Sequence, residues 1–262
     1  MICRIFCRIT QPHPVAERAA DTRFLQHPFH TFFQRVELKY ILKREQLSQL
    51  YSAMAGRMEE DQFGLTTVAS LYYDTPDRRL IRASLEQPAF KEKLRLRSYG
   101  RVTETAPVFL ELKRKAQGTV YKRRIQTTVP QASRFLRGEL AQIEDSQIGR
   151  ELAAFRVHYR TLEPSCLIVY DRTAYAEPDG TVRLTIDKSP RYCMDSPDLT
   201  RSNEGSALLP EGWAILELKV QDAMPLWLSH ALSEGGIFKT SFSKYGEAYR
   251  RELQTPSLRS AC

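Results

Sequence analysis

The sequence is poor in cysteine, in long apolar runs and in repetition. Its five cysteines (Cys3, Cys7, Cys166, Cys193, Cys262) are an odd number without regular spacing. That excludes a disulfide framework or a cysteine zinc site, and it fits a reducing, cytoplasmic setting. The most apolar stretch, Cys166-Leu-Ile-Val-Tyr170, falls far short of the roughly 20 residues of a membrane span. Met1-Ile-Cys-Arg-Ile-Phe-Cys-Arg8 is broken by arginines and lacks the apolar centre of a signal peptide. His13, His27 and His30 lack metal-ligand spacing, and no tandem repeat is visible. What is present is a chain of 262 residues, 42% hydrophobic, 10% aromatic and 27% charged. Those are globular values with enough length to bury a core, so wholesale disorder is excluded.

Positive charge is concentrated. The net charge is +8, and residues 91–124 hold eleven Lys/Arg against only Glu92, Glu104 and Glu111. That one segment carries the whole excess, which points to an anionic partner.

Residues 1–31 show no clean periodicity and read as an N-terminal tail; 255–262 read as a C-terminal one. Between them, a single domain over 32–254 has period-two alternation, the mark of strands. Strands are expected at 34–42, 66–74, 91–99, 107–115, 119–128, 166–176, 181–187 and 213–220. Pro76, Gly100, Gln117-Gly118 and Pro178-Asp-Gly180 punctuate them. Helices are expected at 43–55, 130–137, 146–159, 225–234 and 243–253, and an exposed loop at 195–212. Short turns without regular strand–helix alternation favour an α+β fold: an eight-stranded antiparallel β-barrel with helices packed outside.

The polar face of these strands carries the functional signal. Glu-Leu-Lys occurs on three of them: Glu37-Leu38-Lys39, Glu111-Leu112-Lys113 and Glu217-Leu218-Lys219. Strand geometry puts each Glu and Lys on one face and the Leu on the other. Lys93, Arg95 and Arg97 share a face, as do Lys122 and Arg124, and as do Arg183, Thr185 and Asp187. A half-solvated sheet with cross-strand ion pairs would account for one such tripeptide. Three copies beside Lys93-x-Arg-x-Arg97 favour a basic channel for a polyanion. Buried unpaired charge is expensive, and the arginine fork suits phosphate oxygens. The glutamates then fit a divalent cation held jointly by carboxylate and phosphate. Like-charge crowding on the 91–97 strand predicts that deleting an arginine relieves repulsion in the ligand-free protein.

Nine motifs in order carry a resemblance to a known family. They are Arg35-x-Glu-x-Lys-Tyr40, Tyr72-Tyr-Asp-Thr75, Lys93-x-Arg-x-Arg97, Glu111-Leu-Lys113, Lys122-Arg-Arg124, Asp171-Arg172, Arg183-x-Thr-x-Asp187, Leu216-Glu-Leu-Lys219 and Phe242-Ser-Lys-Tyr245. The chain resembles the triphosphate tunnel metalloenzymes, and within them the VTC (vacuolar transporter chaperone) polyphosphate polymerases in a bacterial, stand-alone form. The resemblance implies a tunnel that binds ATP and inorganic polyphosphate or triphosphate, with Mn²⁺ or Mg²⁺. It puts catalytic roles on Lys39, Arg95, Arg97, Arg172 and Arg183. It puts phosphate binding on Lys93, Lys113, Lys122, Arg124, Lys219, Ser243 and Lys244, and metal binding on Glu217 first, then Glu111 and Glu37. Arg35 stands where the wider superfamily has a first glutamate, which favours the polymerase branch over triphosphatases or adenylyl cyclases.

The implied reaction is γ-phosphoryl transfer from ATP to a polyphosphate chain. A metal-dependent tripolyphosphatase or nucleoside triphosphatase, and a non-catalytic polyphosphate- or nucleic-acid-binding module, are the alternatives. Nucleic acid is not the expected partner, because the cations alternate with apolar residues inside strands. Coupling to transport would require a separate partner protein.

Overall fold

Period-two alternation gives each long strand one apolar face and one charged face, and antiparallel pairing collects like with like. The structure, a computed structural model, describes residues 35–86, 89–200, 205–221 and 223–254. The tails expected at 1–31 and 255–262, with His13, His27 and His30, lie outside the described residues. In chain order the elements are β1 (Arg35–Leu42), α1 (Arg44–Met54), β2 (Glu59–Glu60), β3 (Thr66–Asp74), α2 (Arg79–Glu86), β4 (Phe90–Tyr99), β5 (Val108–Ala116) and β6 (Thr119–Thr127). There follow α3 (Val129–Leu136), α4 (Gln147–Tyr159), β7 (Glu163–Ala176), β8 (Val182–Cys193), β9 (Ser206–Ala207), β10 (Ala214–Gln221), α5 (Leu226–Glu234) and α6 (Lys244–Gln254).

The eight long strands form one antiparallel sheet in the order β1-β10-β8-β7-β3-β4-β5-β6, with the two-residue β2 and β9 added to β7 and β8. The sheet curls until its two edges face each other. Glu37 and Lys39 of β1 come close enough to Lys113 of β5 to shift its ionisation. Among the described residues no backbone pairing joins β1 to β6, so the wall is a curled half-barrel. Gln117 and Gly118, both with positive φ (47° and 85°), make the tight β5–β6 hairpin.

Two apolar clusters cover the convex side. Behind β3 to β6, Leu94, Leu96, Leu110 and Leu112 pack with Phe135 of α3 and Leu152 and Phe155 of α4. Behind β1, β10 and β8, Leu42, Leu184, Leu216 and Leu218 pack with Leu50 of α1 and Leu228 of α5. Each fully buried Leu contributes on the order of 2 kcal/mol, so these clusters dominate stability.

Helix α6 departs from the expectation that all helices lie outside. A third cluster on the concave side joins Val68, Tyr72, Ile168 and Tyr170 to Ile81 of α2 and Tyr245 and Ala248 of α6. The apolar run at 166–170 is thereby explained: that strand is buried on both faces. Helix α2 was not expected, because its N-terminal cap lies several residues upstream. The buried Asp74 carboxylate accepts the amides of Thr75 (2.8 Å), Leu80 (2.8 Å) and Ile81 (2.9 Å). It also accepts the hydroxyl of Tyr245 (2.9 Å), tying β3, α2 and α6 together.

Asp74→Ala leaves three amides and a phenol without their acceptor in a buried site. Urea unfolding is expected to show a loss of about 3 kcal/mol, with a smaller loss for Asp74→Asn. A change for Asp74→Ala below about 0.5 kcal/mol, typical of an exposed surface position, would contradict this role.

Candidate functional site

Register sorts the concave face into rows. Arg95 stands opposite Glu111, and Glu111 opposite Arg124; Lys93, Lys113 and Lys122 form the next row. Tyr72 and Ser70 of β3 stand opposite Arg95 and Arg97. On the other wall Lys39, Glu217 and Thr185 align, then Glu37, Lys219 and Arg183. The tripeptides at 37–39 and 217–219 are thus self-complementary: run antiparallel, each Glu meets the other's Lys.

Glu111 anchors one cluster. Its side chain is 1% exposed and takes Arg95 (Nη2–Oε2 2.7 Å), Lys122 (2.9 Å) and Arg124 (2.6 Å), with Arg97 at 3.9 Å. Burial alone would push its carboxyl up, but Arg95, Arg97 and Lys122 hold it well below the usual range. Phenols and a hydroxyl take further guanidinium donors. Arg95 donates to Tyr72 (3.1 Å), Arg97 to Ser70 (3.1 Å) and Tyr170 (3.2 Å), and Arg124 to Tyr99 (2.6 Å). The expectation that deleting an arginine relieves crowding is therefore corrected. The like charges share a buried counter-ion that only strand register reveals.

Asp187 and Glu217 anchor a second cluster. Arg172 grips Asp187 through both of its fork ends (2.6 and 2.8 Å) and also donates to Glu217 (3.2 Å). Lys244 bonds Asp187 and lies 3.6 Å from Glu217. Lys39 bridges Glu217 (3.2 Å) and Glu37 (3.5 Å). Burial pushes the Glu217 carboxyl up, but Lys244, Lys39 and Arg172 override it and hold it well below its usual range. Asp187, fully buried, belongs to this cluster although it is not among the site residues that the sequence motifs imply.

Helix α6 links the two clusters through consecutive residues. Lys93 donates to the Ser243 hydroxyl (3.1 Å), Lys244 joins the Asp187 cluster, and Tyr245 stacks on Tyr72 with ring centroids 4.6 Å apart. Lys93 and Lys113 make no ion pair among the described residues. Burial first, then Lys39, Lys113 and Lys91, push the Lys93 ammonium down to about 8 against the pull of Tyr72. Lys113 is lowered too, by burial above all. These are cations in want of an anion. Arg183 and Lys219 lie on the same face at one end, both exposed. The structure thus gathers all the expected site residues on one concave surface. Tyr72, Tyr99 and Tyr170, which tie down its guanidiniums, join this surface from outside the expected set.

The carboxylates offer the hard oxygen donors that Mg²⁺ or Mn²⁺ prefers. Among the described residues no three acidic, His or Cys side chains converge as a complete cage. Glu217 and Glu37, side by side on Lys39, fit an ion that completes its shell with phosphate oxygens and water. Glu111, enclosed by four cations, fits a counter-ion better than a ligand. Helices long and apolar enough to cross a membrane are absent among the described residues.

The fold and this surface define a curled antiparallel half-barrel with a basic concave face. The family profile described as the VTC domain matches residues 34–252, and the chain belongs to that family. No curated protein matches the chain. Among solved structures it is similar to a candidate adenylate cyclase from Bacillus halodurans, at 13% identity over 80% of this chain and 93% of that one, with a TM-score of 0.49. It is also similar to a candidate adenylyl cyclase from Hippeastrum described as having a dominant triphosphatase activity, at 18% identity over 86% and 99%, with a TM-score of 0.47.

Because Arg95 pairs with the buried Glu111 carboxylate at 2.7 Å, Arg95→Ala is expected to cost about 2–3 kcal/mol in urea unfolding. Glu111 and Glu217 have native pKa values depressed below the ordinary 4.5. Their contribution is complete above that value and is lost as pH falls beneath it. Stability should therefore drop steeply below about pH 4.5, and less steeply in Glu111→Gln. Equal slopes for both proteins, or a raised melting temperature for Arg95→Ala, would contradict the counter-ion role.

Proposed function

We propose that the protein transfers the γ-phosphoryl group of ATP to a growing polyphosphate chain along this concave surface, with Mn²⁺ or Mg²⁺. The observation that carries the reading is the arrangement of two carboxylate-centred clusters of Lys and Arg with Lys93 and Lys113 between them, facing inward. Spread over several rows, the cations suit a linear polyanion more than a single phosphate ion.

The chemistry asks for no protein nucleophile. A terminal oxygen of the acceptor chain, already ionised, attacks the γ-phosphorus; the bond from that phosphorus to the β–γ bridging oxygen breaks, and ADP leaves with the electron pair. Arg95, Arg97 and Arg124 orient phosphoryl groups from one wall, and Lys39, Arg172 and Lys244 from the other. Because Glu111 and Asp187 already fix these forks, little reorganisation remains when phosphate arrives. Lys93 and Lys113 take up the charge that spreads over the transferred group. Lys122, Arg183 and Lys219 extend the basic track toward its ends, and Ser243 holds Lys93 in place. A divalent ion on Glu217 and Glu37 would neutralise neighbouring phosphate oxygens and hold them in line.

Incubation with ATP and Mn²⁺ or Mg²⁺, read by phosphorus NMR, is expected to show ADP and polyphosphate. Orthophosphate alone would replace the reading with a triphosphatase in the same channel, and binding without turnover would replace it with a phosphate-binding module. Glu217→Gln keeps the shape of the side chain but removes the charge that holds the metal. Turnover should fall by about 10²-fold while nucleotide binding, read by calorimetry, persists through Lys39, Arg172 and Lys244. Normal turnover of Glu217→Gln at limiting Mn²⁺, with loss in Glu111→Gln, would move the metal to the other wall.

A further inference from the structure

The two ends of the β4–β6 wall differ in chemistry. At one end the concave face carries Lys91, Lys115 and Val120. At the other, β4 closes on Tyr99, which follows Arg95 and Arg97 along the same face and is 44% exposed. An exposed aromatic ring is commonplace, but this one is held in place. Its hydroxyl takes the Arg124 guanidinium at 2.6 Å, and its ring meets Phe109 edge-on, with centroids 5.8 Å apart at 72°. Arg124 lies 4.3 Å from the Phe109 ring centroid and 5.6 Å from that of Tyr99, so it covers Phe109 the more closely of the two. The same Arg124 reaches Glu111 at 2.6 Å. One guanidinium therefore separates the Tyr99 ring from the cluster assigned to phosphate.

We propose that Tyr99, braced by Phe109 and Arg124, is the stacking platform for the base of a purine nucleoside triphosphate whose phosphates lie on Arg95, Arg97 and Arg124. The inference rests on the proposed phosphate site and adds where the nucleoside is held. Stacking uses the π-face that every base has, so ATP and GTP are held alike. Inorganic tripolyphosphate has no base and draws nothing from Tyr99.

Calorimetric titration of a non-hydrolysable ATP analogue and of tripolyphosphate separates the two ideas. Tyr99→Leu, which keeps bulk but removes the ring, is expected to weaken the ATP analogue about tenfold. Its tripolyphosphate affinity should fall no further than that of Tyr99→Phe, which loses the same bond to Arg124, and the binding that remains certifies the fold. Tyr99→Phe, which keeps the ring and loses the bond to Arg124, should retain most of the nucleotide affinity. Equal losses for both ligands in Tyr99→Leu, or no loss for either, would overturn the platform. A wild-type protein that takes tripolyphosphate and refuses nucleotide would overturn the platform and ATP as donor, and would leave the phosphate site standing. One that takes neither would overturn the phosphate site with it.

Discussion

A buried carboxylate surrounded by cations is the constraint on which the rest of the concave face depends. Glu111, 1% exposed, has four basic side chains on it. Without it, three arginines and a lysine on adjacent strands would repel one another in a poorly solvated space. With it, they form a preorganised set whose forks already point along one surface. Asp187 and Glu217 do the same on the opposite wall for Arg172, Lys244 and Lys39. The carboxylates thus offset the repulsion and leave donors in hand, because an arginine with one edge on a carboxylate still has others to offer.

Helix α6 makes the two walls a single site. Ser243, just before the helix, holds Lys93 on one wall, Lys244 reaches Asp187 and Glu217 on the other, and Tyr245 stacks on Tyr72 and bonds Asp74. Asp74 in turn caps α2. Stability and site geometry are therefore coupled: loosening α6 would release Lys244 and the Lys93 partner together. Membership of the VTC domain family agrees with this design, since the match runs from β1 through α6.

Much of this was legible in the sequence. Alternation of Leu with Lys, Arg or Glu identified the long strands to within a few residues and assigned each charged side chain to the right face. What stayed hidden depended on contacts between residues far apart in the chain. Arg95 and Glu111 meet only because the β4–β5 pairing brings them opposite, so local charge density suggested repulsion where the structure has an ion pair. Helix α2 lacks a local cap of its own, because Asp74 supplies it from the end of β3. The interior course of α6 could not be read from its own residues, since Ser243, Lys244 and Tyr245 find their partners on β3, β4, β8 and β10. Strand β8 runs on past its expected end at 187, through Pro190, to Cys193.

The central claim is that this paired, inward-facing set of cations is a site for linked phosphates. Thermal unfolding in tripolyphosphate against sulfate at equal ionic strength tests it most directly. Binding to the native state alone should raise stability with the logarithm of ligand concentration, by about 2.7 kcal/mol at a hundredfold excess over the dissociation constant. The account predicts such a rise with tripolyphosphate and only a small, salt-like one with sulfate. A tripolyphosphate shift no larger than that of sulfate would contradict it.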